Sequence, residues 1–206
     1  MSGDTLTAAD QSTPSPRGHV GPISPGDTRR ATVLRQVIEP GGVGAECGVF
    51  KGEFSRALLE QLAPRQLYLM DPWYLMTKAW HWGEGDRSTV SALCNILHTF
   101  EDDLVSGRVV LRIDDDLKAL AELPDHHLDW AYVDSTHLYA PTVKELELLR
   151  RKVRPGGIVA GHDWQPDPAH RHHGVCKAVR EAMERGAFEL VLVDEPTIQW
   201  AVRLPG

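Results

Sequence analysis

The segment Glu46-Cys47-Gly48-Val49-Phe50-Lys51-Gly52, with Ser55 just beyond, carries the residue types that a ligand-binding turn needs. Glycine at 48 and 52 lets a ligand approach the backbone closely, and the first turn of a following helix offers unpaired N–H groups and a positive dipole end. A carboxylate or a nucleotide suits such a turn. The same spacing also serves tight packing of a strand on a helix, so the turn alone does not decide between the two uses. Asp71 closes the next apolar run, about 20 residues on, where an acidic side chain accepts hydrogen bonds from both ribose hydroxyls of an adenosine; an ordinary strand-end turn is the other use of that residue.

Asp134 and Asp163 each follow a later apolar run. If both runs are parallel strands, the two carboxylates meet at the edge where open α/β sheets place ligands, and together they suit a hard divalent cation such as Mg²⁺. His162 beside Asp163 adds a nitrogen donor, which admits a softer metal or none. His137, three residues past Asp134, and His162 are each placed to accept a proton as general base, or else to hydrogen-bond around such a site. The Asp114-Asp115-Asp116 run fits the capped start of a helix. His170, His172 and His173 with Asp167 make a zinc site conceivable in the loop 165–174, although adjacent histidines in a polar, proline-containing loop are more often solvated, which is the preferred reading here. Trp73, Tyr74, Trp80, His81 and Trp82 form an aromatic segment after Asp71 that suits a lid over a substrate, or a local cluster anchoring a long loop.

These residues come together only on a scaffold that brings several strand ends to one edge. Short apolar runs at Val43–Cys47, Gln66–Met70, Arg108–Ile113, Leu128–Val133 and Ile158–Gly161 alternate with amphipathic segments at Glu53–Leu62, Ser88–Leu104, Asp115–Leu123, Pro141–Val153 and His173–Arg185. That alternation is the pattern of βα units around a parallel sheet. Pro155, Gly156 and Gly157 read as a turn before the fifth strand, and Phe188–Val193 with Ile198–Leu204 as two terminal strands joined at Glu195-Pro196. A terminal hairpin is not how a plain nucleotide-binding sheet ends.

A length of 206 residues suits one domain. Residues 1–28 are rich in Ser, Thr, Pro, Gly and Asp and read as a disordered or flexible tail, leaving 29–206 as the domain. With 22 basic against 29 acidic residues the formal charge is −7, which provides no footprint for nucleic acid or anionic lipid. Cys47, Cys94 and Cys176 form no CxxC pair, and no run approaches a membrane span or a secretory signal. The expected setting is the cytoplasm, with a small molecule as partner and the oligomeric state, a homo-oligomer included, left open.

Taken together, Glu46–Gly52, the segment Asp129-Trp130-Ala131-Tyr132-Val133-Asp134-Ser135-Thr136-His137 and the segment Pro155-Gly156-Gly157-Ile158-Val159-Ala160-Gly161-His162-Asp163-Trp164 resemble the class I S-adenosylmethionine-dependent methyltransferases. Within that class the chain is similar to a small-molecule group that includes macrocin-type sugar O-methyltransferases and cephalosporin-hydroxylase-like proteins. The resemblance implies an α/β three-layer sandwich with a mostly parallel seven-stranded sheet and an antiparallel last strand. It also implies S-adenosylmethionine as cofactor and methylation of a sugar or natural-product hydroxyl. By the same resemblance Glu46, Gly48 and Gly52 line the methionine side, Asp71 holds the ribose, Asp114 or Asp115 contacts the adenine, and Asp134 with Asp163 holds a divalent cation. That cation would lower the acceptor's pKa and orient it toward the methyl group.

Two other readings use the same residues. A non-catalytic or scaffold protein of this fold is favoured by His162 standing where those enzymes carry an acid. An NAD(P)-dependent oxidoreductase would share the glycine turn and the ribose acid, but GxGxxG is missing from the first turn, and Phe54 stands where GxxxGxG would need its last glycine.

Overall fold

Strand β1 (Val43–Cys47) is buried along its whole length, as befits a strand covered on both faces, and it lies in the interior of a seven-stranded sheet. The computed structural model describes residues 22–74 and 88–206. Beside β1 run β2 (Gln66–Met70) and then β3 (Val109–Arg112) on one side, and β4 (Leu128–Val133) and β5 (Val153–Gly161) on the other, all parallel. The sheet ends in β7 (Gln199–Arg203) and β6 (Glu189–Asp194), giving the order β3-β2-β1-β4-β5-β7-β6. Strand β7 pairs antiparallel with both β5 and β6, so the expected reversed last strand is present.

Side chains alternate along each strand and feed two cores. Leu67, Leu69, Trp130, Tyr132, Ile158 and Ala160 face α1 (Pro25–Leu34), α2 (Glu53–Leu62) and α3 (Ser88–Thr99), where Leu34, Leu58 and Ile96 are fully buried. Ala45, Cys47, Met70, Ala131, Val133 and Val159 face α5 (Asp116–Glu122), α6 (Tyr139–Lys152) and α7 (His173–Glu184). The result is three layers, helices on both faces of one sheet. No helix among the described residues is long and apolar enough to cross a membrane.

Three local differences from the sequence pattern have physical causes. The helix expected over Ser88–Leu104 breaks at Phe100, whose ring turns inward, and restarts as α4 (Glu101–Val105), with Glu101, Asp102 and Asp103 in the first turn where the helix dipole favours acids. The turn at Pro155–Gly157 lies inside β5, because from Leu128 to Trp130 β4 advances two residues while β5 advances five, from Val153 to Ile158. Helix α1 was not expected. It begins at Pro25, inside the stretch read as tail, where the Ser24 side chain accepts from the Asp27 N–H and Pro25 takes the first helical position, which needs no donor. Residues 1–21 of that tail lie outside the described residues.

Candidate functional site

The sheet order reverses between β1 and β4, and the backbone there carries the strand ladder one residue further on every strand. The N–H of Gly48 donates to Met70, that of Asp134 to Cys47, and that of His162 to Val133, at 2.8–3.1 Å. Gly48, Asp71, Asp134 and His162 therefore emerge at one level. Above them lies a cleft of about 380 Å³ lined by Glu46, Gly48, Asp71, Asp134, His137 and Asp163 among others, which is within the usual range for small-molecule sites.

Gly48 sits at φ +86°, and a Cβ there would come within 2.3 Å of the Asp134 carbonyl oxygen, so glycine is required by conformation and by space. Gly48→Ala is expected to cost about 2–5 kcal/mol, adding left-handed strain to overpacking against backbone, as read from the denaturation midpoint. Past it the turn is fastened from β2, since one carboxylate oxygen of Asp71, Oδ2, accepts from both the Val49 and Phe50 N–H groups at 2.9 and 2.8 Å. The Trp73 indole donates to the Phe50 carbonyl from the same side. Burial raises the Asp71 pKa while the two N–H donors oppose that rise. Glu46, beneath the turn, is fully buried and receives a hydrogen bond from Ser55; desolvation pushes its pKa up to about 8. Gly52 does not line the cleft: it caps α2 at φ +79°, and a Cβ there would strike Ile96 at 2.3 Å, so its role is helix packing.

Arg30, which the sequence reading passed over, enters the cleft from α1. Its guanidinium lies 4.1 Å from the centre of the Phe54 ring and donates to the Tyr132 hydroxyl at 2.9 Å and to Asp134 Oδ2 at 2.7 Å. Burial works against its charge, but the Tyr132 and Asp134 oxygens outweigh that and raise its pKa. Tyr132 in turn donates to Gln199, whose amide donates to the Arg30 carbonyl, so α1, β4 and β7 are tied into one network. Asp134 thus keeps only Oδ1 for another partner.

Asp163 is nearly buried and faces three imidazoles. His137 Nδ1 contacts its Oδ2, His172 Nδ1 lies 3.0 Å from its Oδ1, and His162 Nδ1 lies 3.6 Å from Oδ1 and 3.7 Å from Asp134 Oδ1. Desolvation lowers the His162 pKa to about 4 against the pull of Asp134, so this ring is neutral near pH 7. His137 and Asp163 both adopt φ +59°, a left-handed conformation uncommon outside glycine that aims side chains at functional sites in many folds. His172 comes from the loop judged solvated; of its neighbours, His173 Nδ1 donates to the Gln165 carbonyl, and His170 Nδ1 accepts the His172 N–H.

The acidic run at the start of α5 divides. Asp114 lies off the cleft, accepting from Tyr74 and from the Asp115 N–H. Asp115 both caps α5, through the Leu117 N–H, and lines the cleft beside the buried Asp116, which the sequence reading did not single out. Of the aromatic segment, Trp73 is buried and Tyr74 exposed, while Trp80, His81 and Trp82 lie outside the described residues.

A protein-family model for a methyltransferase domain matches residues 45–164, a stretch that contains Glu46, Asp71, Asp134, His162 and Asp163 but neither Arg30 nor His172. Among solved structures, a candidate O-methyltransferase from Klebsiella pneumoniae is similar over 93% of this chain and 84% of its own, at 17% identity and a TM-score of 0.61. A candidate methyltransferase from Streptococcus mutans, solved in complex with SAH, is similar over 88% of this chain and 98% of its own, at 14% identity and a TM-score of 0.57. A candidate type 11 methyltransferase from Sulfolobus solfataricus matches over 79% and 82%, at 18% identity and a TM-score of 0.51. At such identities the likeness is one of fold. No curated protein matches the chain.

Proposed function

This chain belongs to the methyltransferase-domain family, and on that premise we propose that it transfers the methyl group of S-adenosylmethionine to a hydroxyl of a small molecule. The observation that carries the reading is the emergence of Glu46, Gly48 and Asp71 around one cleft at the switch point of the sheet. The Glu46 carboxylate suits the cofactor's ammonium, the glycine backbone admits its methionine chain, and Asp71 Oδ1, with Oδ2 already bonded to the turn, takes the ribose hydroxyls. Asp115 and Asp116 line the same cleft, and on this reading they meet the adenine. The similarity to macrocin-type enzymes extends the reading to sugars or other natural products as acceptors.

The bound sulfonium supplies an activated methyl group; the acceptor oxygen forms the new C–O bond as the S–CH₃ bond breaks, leaving S-adenosylhomocysteine. The chain's own task is to hold that oxygen in line with the methyl group and to take its proton. Asp134, fixed by Arg30, offers Oδ1 to the hydroxyl, and an imidazole at the same spot, His137 or His162, accepts the proton. An Mg²⁺ ion shared by Asp134 and Asp163 does not fit this arrangement. The Arg30 cation already occupies Asp134 Oδ2, and the groups within reach of both carboxylates are imidazole nitrogens rather than the oxygens that Mg²⁺ prefers.

Acids dominate the cleft wall, so a neutral or amine-bearing acceptor is favoured over a phosphorylated one. Incubation with S-adenosylmethionine and a panel of neutral, amino and phosphorylated hydroxyl compounds, read by release of S-adenosylhomocysteine, tests this. Turnover confined to neutral or amine-bearing hydroxyls is expected. Binding of the cofactor with no transfer to any compound of the panel would move the protein to the non-catalytic reading.

A further inference from the structure

The geometry points to a metal centre formed by His137, Asp163 and His172 that takes a borderline divalent cation of the zinc class, Zn²⁺ or Co²⁺, in preference to Mg²⁺. Each of the three offers one ligand atom, and these atoms lie within 4.8 Å of one another. Ligands at ~2.0–2.2 Å from one cation stand roughly 3–3.5 Å apart, a spacing that His172 and Asp163 already hold at 3.0 Å, while His137 Nδ1, in direct contact with Asp163 Oδ2, parts from it as the ion enters between them. Three separate segments supply it: the loop after β4, the end of β5 and the residue that precedes α7. Two of those residues hold left-handed backbone conformations to do so.

Charge and ligand type both point to the same class of ion. The side chain of Asp163 is 6% exposed and its ion-pair partners are the imidazoles of His137, His162 and His172, whereas the nearby arginine is bonded to Asp134. A buried carboxylate needs a compensating positive charge, and a divalent cation held among these imidazoles supplies it. Two imidazoles and one carboxylate form a nitrogen-rich set that suits zinc-class ions and leaves a coordination position open. The backbone N–H of His172 donates to the ring of His170, which holds this end of the loop, and the far nitrogen of His137, Nε2, lies 3.8 Å from Asp134 Oδ1.

Binding of the ion stands on these residues alone; its part in the reaction rests on the methyl-transfer reading. There, His137, Asp163 and His172 line the cleft, and an ion held by them would lower the pKa of the acceptor oxygen, which leaves His162, outside the ligand set, to receive the proton.

The test uses the full chain stripped by chelator. Titration with Co²⁺ is followed by visible absorption, and titrations with Zn²⁺ and Mg²⁺ by calorimetry, while affinity for S-adenosylhomocysteine is measured separately. The expected result is one Co²⁺ or Zn²⁺ per chain, with Mg²⁺ at least about a hundredfold weaker. His172→Ala should weaken Zn²⁺ by about a hundredfold or more, beyond the loss typical of an outer partner, and leave S-adenosylhomocysteine affinity unchanged. His172→Gln, which keeps a polar side chain of similar reach, serves if the alanine variant does not fold. Absence of Co²⁺ absorption and Zn²⁺ heat in the wild type, Mg²⁺ binding as tightly as Zn²⁺, or Zn²⁺ affinity unchanged in the folded His172 variant would each overturn the site. Zn²⁺ binding without S-adenosylhomocysteine binding would uphold the site and count against the methyl-transfer reading, and the reverse pattern would do the opposite.

Discussion

Asp71→Asn is expected to fold like the wild type and to bind S-adenosylhomocysteine about 10- to 150-fold more weakly. The asparagine carbonyl can still accept from the Val49 and Phe50 N–H groups, so the turn keeps its fastening. What changes is the other atom, which becomes an NH₂ donor where the ribose hydroxyls need an acceptor, and a charge-assisted bond of ~1.5–3 kcal/mol is lost. Asp71→Ala adds a separate fault, because two backbone donors then lose their partner at ~1–3 kcal/mol each. A large fall in melting temperature is therefore expected for the alanine variant and only a small one for the asparagine variant. Calorimetry on the folded Asp71→Asn protein separates the two roles; wild-type affinity there would remove Asp71 from the ribose.

The second large effect is one of pH. Burial pushes the Glu46 pKa up to about 8 in the free protein, so near pH 7 the carboxyl is mostly protonated. An ammonium group binds its ionised form. Below pH 8 binding must then expel a proton, and affinity falls with pH, approaching tenfold for each unit well below pH 8, or ~50-fold between pH 8 and pH 6. Proton release of nearly one per ligand at pH 6.5, read from binding heats in buffers of different ionisation enthalpy, checks the sign directly. Glu46→Gln should abolish the slope and bind at pH 8 with a loss comparable to that of Asp71→Asn. A flat pH profile in the wild type would mean that Glu46 does not meet the ammonium.

The strands and the glycine turn were legible because both rest on local signals. Apolar runs of five or six residues, each ended by an acid or a glycine, fixed β1, β2 and β4 to the residue. Parallel pairing then placed Glu46, Asp71, Asp134 and Asp163 at one edge. Arg30 was not legible, since it lies on a helix that begins inside the stretch read as tail and was therefore not expected, although Ser24-Pro25 with Asp27 is a readable helix start. Gly52 shows the converse. Its residue type and spacing suit a ligand turn, and only the approach of Ile96 from a distant helix shows that packing is its use. His172 was hidden by sequence distance, because nothing in a histidine-rich loop says which ring will turn inward to a carboxylate nine residues away.

Titrating the purified chain with S-adenosylhomocysteine by calorimetry at pH 8, with NAD as control, bears most directly on what fills the cleft. One molecule per chain with low-micromolar or tighter affinity, and no heat from NAD, is the predicted outcome. Silence at millimolar S-adenosylhomocysteine, or equal binding of NAD, would contradict it.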